Sequence, residues 1–211
     1  DGICDAFSCG SVVSYQGYDY TTVLIGQQCW FAENLRSHSY LNGDSIPFAS
    51  ETEWSLAGGV TNYGFGEGTC HHHSPSGDAC DEEWALENYG LLYNGFAIAD
   101  NRMLCPLGWH VPSDDEWISL EIFLGMDEVE AMTSGWFRGT DEGAKLKTES
   151  GWKSGGNGTD SVGFSGIPGG YSISDDYFVN AGEGATWLSS SPSGIAQKYW
   201  TRYFEEDNLD L

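Results

Sequence analysis

Gly108-Trp109-His110-Val111-Pro112-Ser113-Asp114-Asp115-Glu116-Trp117 is the stretch whose reading decides the fold. Ser113 followed three residues later by Glu116 is a capping box, in which the two side chains satisfy each other's orphan backbone N–H groups, so a helix is predicted to start at Asp114. From Trp117 the apolar residues Leu120, Phe123 and Leu124 recur at helical spacing, and Gly125 stands where a left-handed C-terminal cap belongs. A short helix is expected next, over 127–132. Upstream, 89–99 reads as another helix, with Leu91, Leu92, Phe96 and Ala97 around one side.

Outward from these helices the pattern changes. Residues 12–26 alternate β-branched and aromatic side chains around glycines, as a pair of short strands does. Residues 37–83 are polar, glycine-rich and weakly periodic, which predicts long loops closed by Cys70 and Cys80. After Gly135 glycine, serine and aromatic clusters enclose strand-like runs at 163–166, 185–188 and 198–204. No internal repeat is evident, so the expectation is one α+β unit.

The chain has 211 residues, enough for one sizeable domain that buries about 70 % of its unfolded surface. Nine Trp, eleven Tyr and ten Phe exclude an acidic disordered tail, which lacks bulky groups. Eight Lys and Arg against 32 Asp and Glu leave a net charge of −24, a field that repels phosphate backbones and anionic lipid heads. Nucleic acid and membrane surface are therefore poor partners, and neither nucleic-acid binding nor membrane insertion is expected. No apolar run approaches the roughly 18 residues needed to span a bilayer. Cys4, Cys9, Cys29, Cys70, Cys80 and Cys105 form no C-x-x-C knuckle, so disulfides in an oxidising compartment fit better than structural zinc. Six thiols permit about 15 complete pairings, and the residues alone do not choose among them.

Several stretches taken together resemble the Fibrobacter succinogenes major paralogous domain, a family of secreted and surface proteins of Bacteroidetes-type bacteria. They are Tyr18-Asp19-Tyr20, Trp30 with Ala32-Glu33-Asn34-Leu35-Arg36, Tyr89-Gly90 with Leu92-Tyr93-Asn94, and Leu104-Cys105-Pro106 running into the stretch quoted first. Arg138-Gly139-Thr140-Asp141-Glu142-Gly143, Gly163-Phe164-Ser165, Pro168-Gly169-Gly170-Tyr171 and Trp187 with Ser189-Ser190-Ser191 complete the match. The family is similar to a divergent C-type lectin fold. The resemblance therefore implies two main helices beside a small twisted antiparallel sheet with long, disulfide-stapled loops. It also implies Cys9–Cys29 and Cys70–Cys80 bridges, with Cys4 and Cys105 left to partners outside the chain. Residues 1–10 look like the tail of an upstream acidic calcium-binding repeat or a linker, and 11–211 like a single lectin-like domain. Family members close on a further Cys-bearing strand, which is expected beyond Leu211.

Four kinds of site come into question. Cys70-His71-His72-His73 with Cys80 suggests a metal, but three consecutive His cannot all aim at one ion and a disulfide consumes both thiols. His110 reads as a hydrogen-bonded structural residue. No nucleophile elbow or Ser-His-Asp spacing supports catalysis, and the acid pairs Asp114-Asp115 and Asp175-Asp176 cannot face each other across a glycosidase cleft, so no enzyme is expected. Asp160, Asp175, Asp176, Glu205 and Asp207 are the candidate ligands of a structural calcium, where oxygen ligands are dense and a cation relieves the net charge, the alternative being solvated acidic loops. Tyr199, Trp200, Arg202 and Tyr203, with Trp187, are the ligand-binding candidates. Alternation along a strand displays one set of these rings, and Tyr, Trp and Arg are the usual anchors of recognition surfaces. The function expected is a non-enzymatic extracellular recognition or adhesion module within a larger surface protein, binding a glycan or protein partner. A structural unit of a surface filament or array is the alternative, and a polysaccharide hydrolase the least favoured.

Overall fold

The computed structural model describes residues 9–48, 57–61, 63, 69–72, 75–174, 177–195 and 198–206. The glycine-punctuated opening folds into two antiparallel hairpins, β1 (Val13–Tyr15) with β2 (Tyr18–Tyr20) and β3 (Thr22–Ile25) with β4 (Gln28–Phe31). The first turn places both Gln16 and Gly17 at positive φ, the requirement of a tight two-residue hairpin. Cys9 is bonded to Cys29 of β4, and the Gly10 N–H donates to Thr22 Oγ1, so the residues just before β1 are tied to the domain.

The segment read as loops up to residue 83 contains two short strands, β5 (Val60–Thr61) and β6 (Thr69–His72), and the Cys70–Cys80 bridge. A helix that the sequence reading did not anticipate follows, α1 (Glu82–Tyr89), capped by the Asp81 carboxylate accepting from the Trp84 N–H at 2.9 Å. The helix expected over 89–99 is accordingly corrected. Gly90, at φ +78°, ends α1, then β7 (Leu92–Tyr93) pairs with β5, and only α2 (Gly95–Ile98) remains helical, capped by Asn94. The apolar spacing of Leu91, Leu92, Phe96 and Ala97 reflects burial of an irregular segment and not one helix face.

The quoted stretch builds α3 (Asp114–Leu124) as expected, with the capping box present and Gly125 at φ +121° as its C-cap. One turn, α4 (Glu128–Ala131), follows under an Asp127 cap, and α5 (Glu142–Leu146) lies in the stretch carrying the Arg-Gly-Thr-Asp-Glu-Gly match. The run at 163–166 is a tight turn and not a strand. The Asp160 carboxylate accepts from Ser165 N–H at 2.8 Å and Ser165 Oγ at 2.9 Å, and the Gly163 N–H donates to the Asp160 carbonyl. The last strands are β8 (Gly169–Ser174), β9 (Tyr177–Ala181), β10 (Gly184–Pro192) and β11 (Tyr199–Glu205). With β6 they form a five-stranded sheet in the order β11-β10-β8-β9-β6. The sheet is mixed, because β10 runs parallel to β8 and β6 parallel to β9, where an antiparallel sheet was expected.

Among the described residues, buried side chains gather in three clusters. The largest joins Trp117, Leu120 and Leu124 of α3 to Trp30, Trp152, Phe164, Ala185 and Phe204. A second packs Tyr40, Ile46 and Val60 against Leu91, Leu104 and Cys105, and a third packs Tyr63 and Phe178 against α1. The fold class is thus α+β, with small sheets, few helices and, among the described residues, two disulfides.

Candidate functional site

Between the β3–β4 hairpin, α3 and the β8–β10 strands lies a cleft of about 900 Å³. Its position follows from the sheet. β10 and β8 share one register pair, Ala185 with Gly170, and past it Tyr171–Ser172 and Thr186–Leu188 both line the cleft instead of pairing with each other. Its walls are aromatic. Trp30 and Phe31 come from β4, Trp109 from the loop before α3, Trp117 from α3, Phe164 from the Asp160 turn and Trp187 from β10. These rings touch in two groups: Phe31 with Trp109 at 4.4 Å, and Trp30 with Trp117 at 5.0 Å and Phe164 at 5.8 Å, Phe164 reaching Trp187 at 6.1 Å between centroids. Each tilted or edge-on contact holds its ring at a set angle, so the wall is pre-organised.

The polar groups of the wall are held as firmly. Trp187 donates from Nε1 to Asn34 Oδ1 at 3.3 Å, while Asn34 Nδ2 donates to the Tyr89 carbonyl. Gln28 Nε2 donates to the Glu116 carbonyl at 3.0 Å, fastening β4 to the first turn of α3. Burial raises the Glu33 carboxyl, but bonds from Tyr18 and Thr21 and the nearby Arg36 outweigh it and hold the group below the ordinary carboxylate range. Glu116 is treated likewise: burial opposes ionisation, and bonds from Ser113 and His110 overcome it. His110 is therefore the hydrogen-bonded turn residue expected of it, Nε2 lying 2.7 Å from Glu116 Oε1.

Cys105 also lines the cleft and is 8 % exposed, and burial pushes its thiol up to about 12. The unfolded chain releases this proton near the ordinary thiol value of about 8.5. The group's contribution to stability is therefore complete below that value and declines from there to about pH 12. At pH 8 the native protein is expected to leave Cys105 unmodified by iodoacetamide, with complete alkylation only in denaturant; peptide mass mapping reads this directly. Rapid native alkylation would show that the second core cluster opens.

The model of the Fibrobacter succinogenes major domain matches residues 23–208. The chain belongs to that family. No curated protein and no solved structure matches it, so a lectin-like topology rests on the motif resemblance alone. Within this major domain the family-like motifs converge on one place. The stretches around Trp30–Leu35, Tyr89–Asn94, Leu104–Pro112, Glu116–Trp117, Phe164–Gly166, Gly169–Tyr171 and Trp187 all contribute lining residues to the cleft.

The five ligand-binding candidates do not form one face of the major domain. Trp187 lines the cleft, packed against Phe204 at 4.6 Å. Arg202 is corrected as a displayed anchor. It is 5 % exposed, its Nε donates to Glu121 and its Nη1 to Asp114 at 2.8 Å, so the guanidinium is spent inside. Tyr203, half-buried, accepts from Asn180 Nδ2 at 2.8 Å and packs edge-on against Trp136 and Tyr171. Tyr199 lies against Gly95 at the start of α2, and Trp200 is exposed. The expected calcium ligands are also separated by role. Asp160 spends both carboxylate oxygens on Ser165, the Glu205 carbonyl accepts from Lys147 Nζ at 2.6 Å, and Asp175, Asp176 and Asp207 lie outside the described residues. Among the described residues no group of three or more His, Cys, Asp or Glu could hold a metal. Sequence reasoning missed Trp30, Trp109, Trp117 and Phe164 as site residues. The available signal was that each sits inside a motif carrying the family resemblance.

Proposed function

We propose that this major domain is a non-enzymatic recognition module that works outside the cell, as part of a larger surface protein, and seats a glycan or protein ligand in the aromatic cleft. One observation carries the reading: aromatic side chains from separate segments, Trp30, Phe31, Trp109, Trp117, Phe164 and Trp187 among them, line a preformed cavity of about 900 Å³, the upper part of the roughly 300–1,000 Å³ range of ligand sites. Disulfides at Cys9–Cys29 and Cys70–Cys80 support an oxidising location. Against turnover chemistry, the Cys105 thiol is held protonated by burial, and His110 and Glu116 are committed to the cap of α3.

The test is a glycan array and a surface-protein pull-down with the intact domain, repeated with Trp187→Phe and Trp187→Ala. Trp187→Ala is expected to weaken the captured ligand at least tenfold and Trp187→Phe only a few-fold, because the ring supplies the contact area. A ligand retained unchanged by both variants, with near-ultraviolet circular dichroism showing an intact fold, places recognition elsewhere.

Assembly into a surface array is the second reading. It is favoured by Val129, Met132, Trp136 and Phe137, all more than half exposed on and after α4, beside the outer strand β11. A dimer or filament that Trp136→Ser abolishes is the result this reading requires.

A further inference from the structure

We infer that the cleft selects an uncharged oligosaccharide and rejects acidic ones, an inference that rests on the cleft being the ligand seat. The argument is an accounting of its polar groups. None of the eight Lys and Arg of the chain lines the cleft, so an anionic ligand finds no counter-charge there. Its carboxylates, Glu33 and Glu116, are occupied. Glu33 Oε1 accepts from Thr21 N–H and Oγ1, and Oε2 from the Tyr18 hydroxyl at 2.5 Å. Glu116 Oε2 accepts from Ser113 N–H and Oγ, and Oε1 is paired with His110. With these charges already satisfied, a cationic ligand gains little from them, and an anionic one still meets their field and that of the whole chain.

The remaining polar lining residues are neutral, among them Gln27, Tyr171 and Thr186, whose side chains end in an amide or a hydroxyl. Amides and hydroxyls both donate and accept, which is the pairing that sugar hydroxyls need. Phe31, Trp109 and Trp187, partly exposed in the cleft with Trp30, Trp117 and Phe164 buried behind them, offer apolar faces for the C–H side of a sugar ring. A peptide would bring backbone groups along its whole length, and a lipid tail would offer no hydrogen bond to the neutral polar residues of the lining. A neutral saccharide uses both kinds of wall. The cavity is large enough to take several linked rings.

The experiment titrates the intact domain with neutral hexasaccharides of glucose, xylose and mannose, and with hexagalacturonate, by calorimetry and tryptophan fluorescence. Both 20 mM and 500 mM NaCl are used, because salt at the higher level shrinks the reach of the chain's overall charge to a few Å, leaving the cleft's own preference. The expected result is that at least one neutral hexasaccharide binds at both salt levels and that hexagalacturonate binds at least tenfold more weakly even at 500 mM. Gln27→Ala and Thr186→Val are each expected to weaken binding at least threefold without moving the melting temperature. Hexagalacturonate binding as well as the neutral sugars at 500 mM overturns the inference and leaves the cleft as the seat. So does a surface protein captured through Trp187 with no sugar binding. Sugar binding that ignores all the cleft variants, or no ligand of either class, removes the reading on which the inference rests.

Discussion

Glu121→Ala is expected to destabilise the domain by about 3–5 kcal/mol, the cost of leaving buried charges without their partner. Glu121 is fully buried on α3 and takes two hydrogen bonds from Arg138, at 3.0 and 3.1 Å, and another from Arg202 Nε. Both arginines are themselves buried, 8 % and 5 % exposed, so removing the carboxylate strands two guanidinium groups away from water. Arg138 keeps the Ala131 carbonyl at 3.0 Å and Arg202 keeps Asp114, which limits the damage but does not neutralise it. The network joins α3 to β11 and to the loop after α4, so its loss loosens one wall of the cleft. For a domain of this length the melting temperature should fall by roughly 6–20 °C. Asp114→Asn, which removes only the partly exposed partner, should cost about 1 kcal/mol. Differential scanning calorimetry decides it: equal effects from the two variants would show that the buried carboxylate is not the centre of the network.

Gly170→Ala is expected to cost about 3 kcal/mol, the sum of left-handed strain and overpacking. Gly170 sits in β8 at φ +65°, opposite Ala185 of β10. A Cβ placed there would lie 2.5 Å from the Val179 carbonyl oxygen, 2.8 Å from the Ala181 nitrogen and 2.5 Å from the Tyr63 ring. Two of those neighbours are backbone of the paired strand β9 and cannot yield without breaking the ladder. Gly17, also at positive φ but with nothing within 4 Å of its Cβ position, provides the control. Gly17→Ala should cost about 1 kcal/mol, from backbone strain alone. Chemical denaturation of both variants separates the effects. Similar losses would mean that the close approach at Gly170 relaxes freely, and with it the β8–β10 junction beside the cleft.

How far the sequence could be read follows from the range of the forces involved. Ser113, Glu116 and Gly125 mark α3 because a cap is a contact between residues three or four apart. Helix α1 escaped notice although Asp81 caps it, because its apolar residues Trp84, Ala85 and Leu86 are consecutive and so mark no single face. Apolar spacing on α3 pointed to Phe123, yet the structure leaves Phe123 more than half exposed and buries Glu121. No helical pattern reveals that choice. Glu121 is buried because Arg138 and Arg202 arrive from 17 and 81 residues away.

The same reasoning separates the two kinds of ligand candidate. Strand alternation along 199–204 is local and correct, since Arg202 and Phe204 point one way and Tyr203 the other. Which side is inward depends on α3 packing over β10 and β11, and that turned Arg202 from a displayed anchor into a buried strut. Aromatic content, acidity, helix caps, glycine turns and the family motifs were all present in the order of the residues, because each is a property of composition or of neighbours a few positions apart. Only the tertiary structure placed Trp30, Trp109, Trp117, Phe164 and Trp187 around one cavity. Packing between segments more than a hundred residues apart depends on the closure of the whole core, and no short-range pattern encodes it.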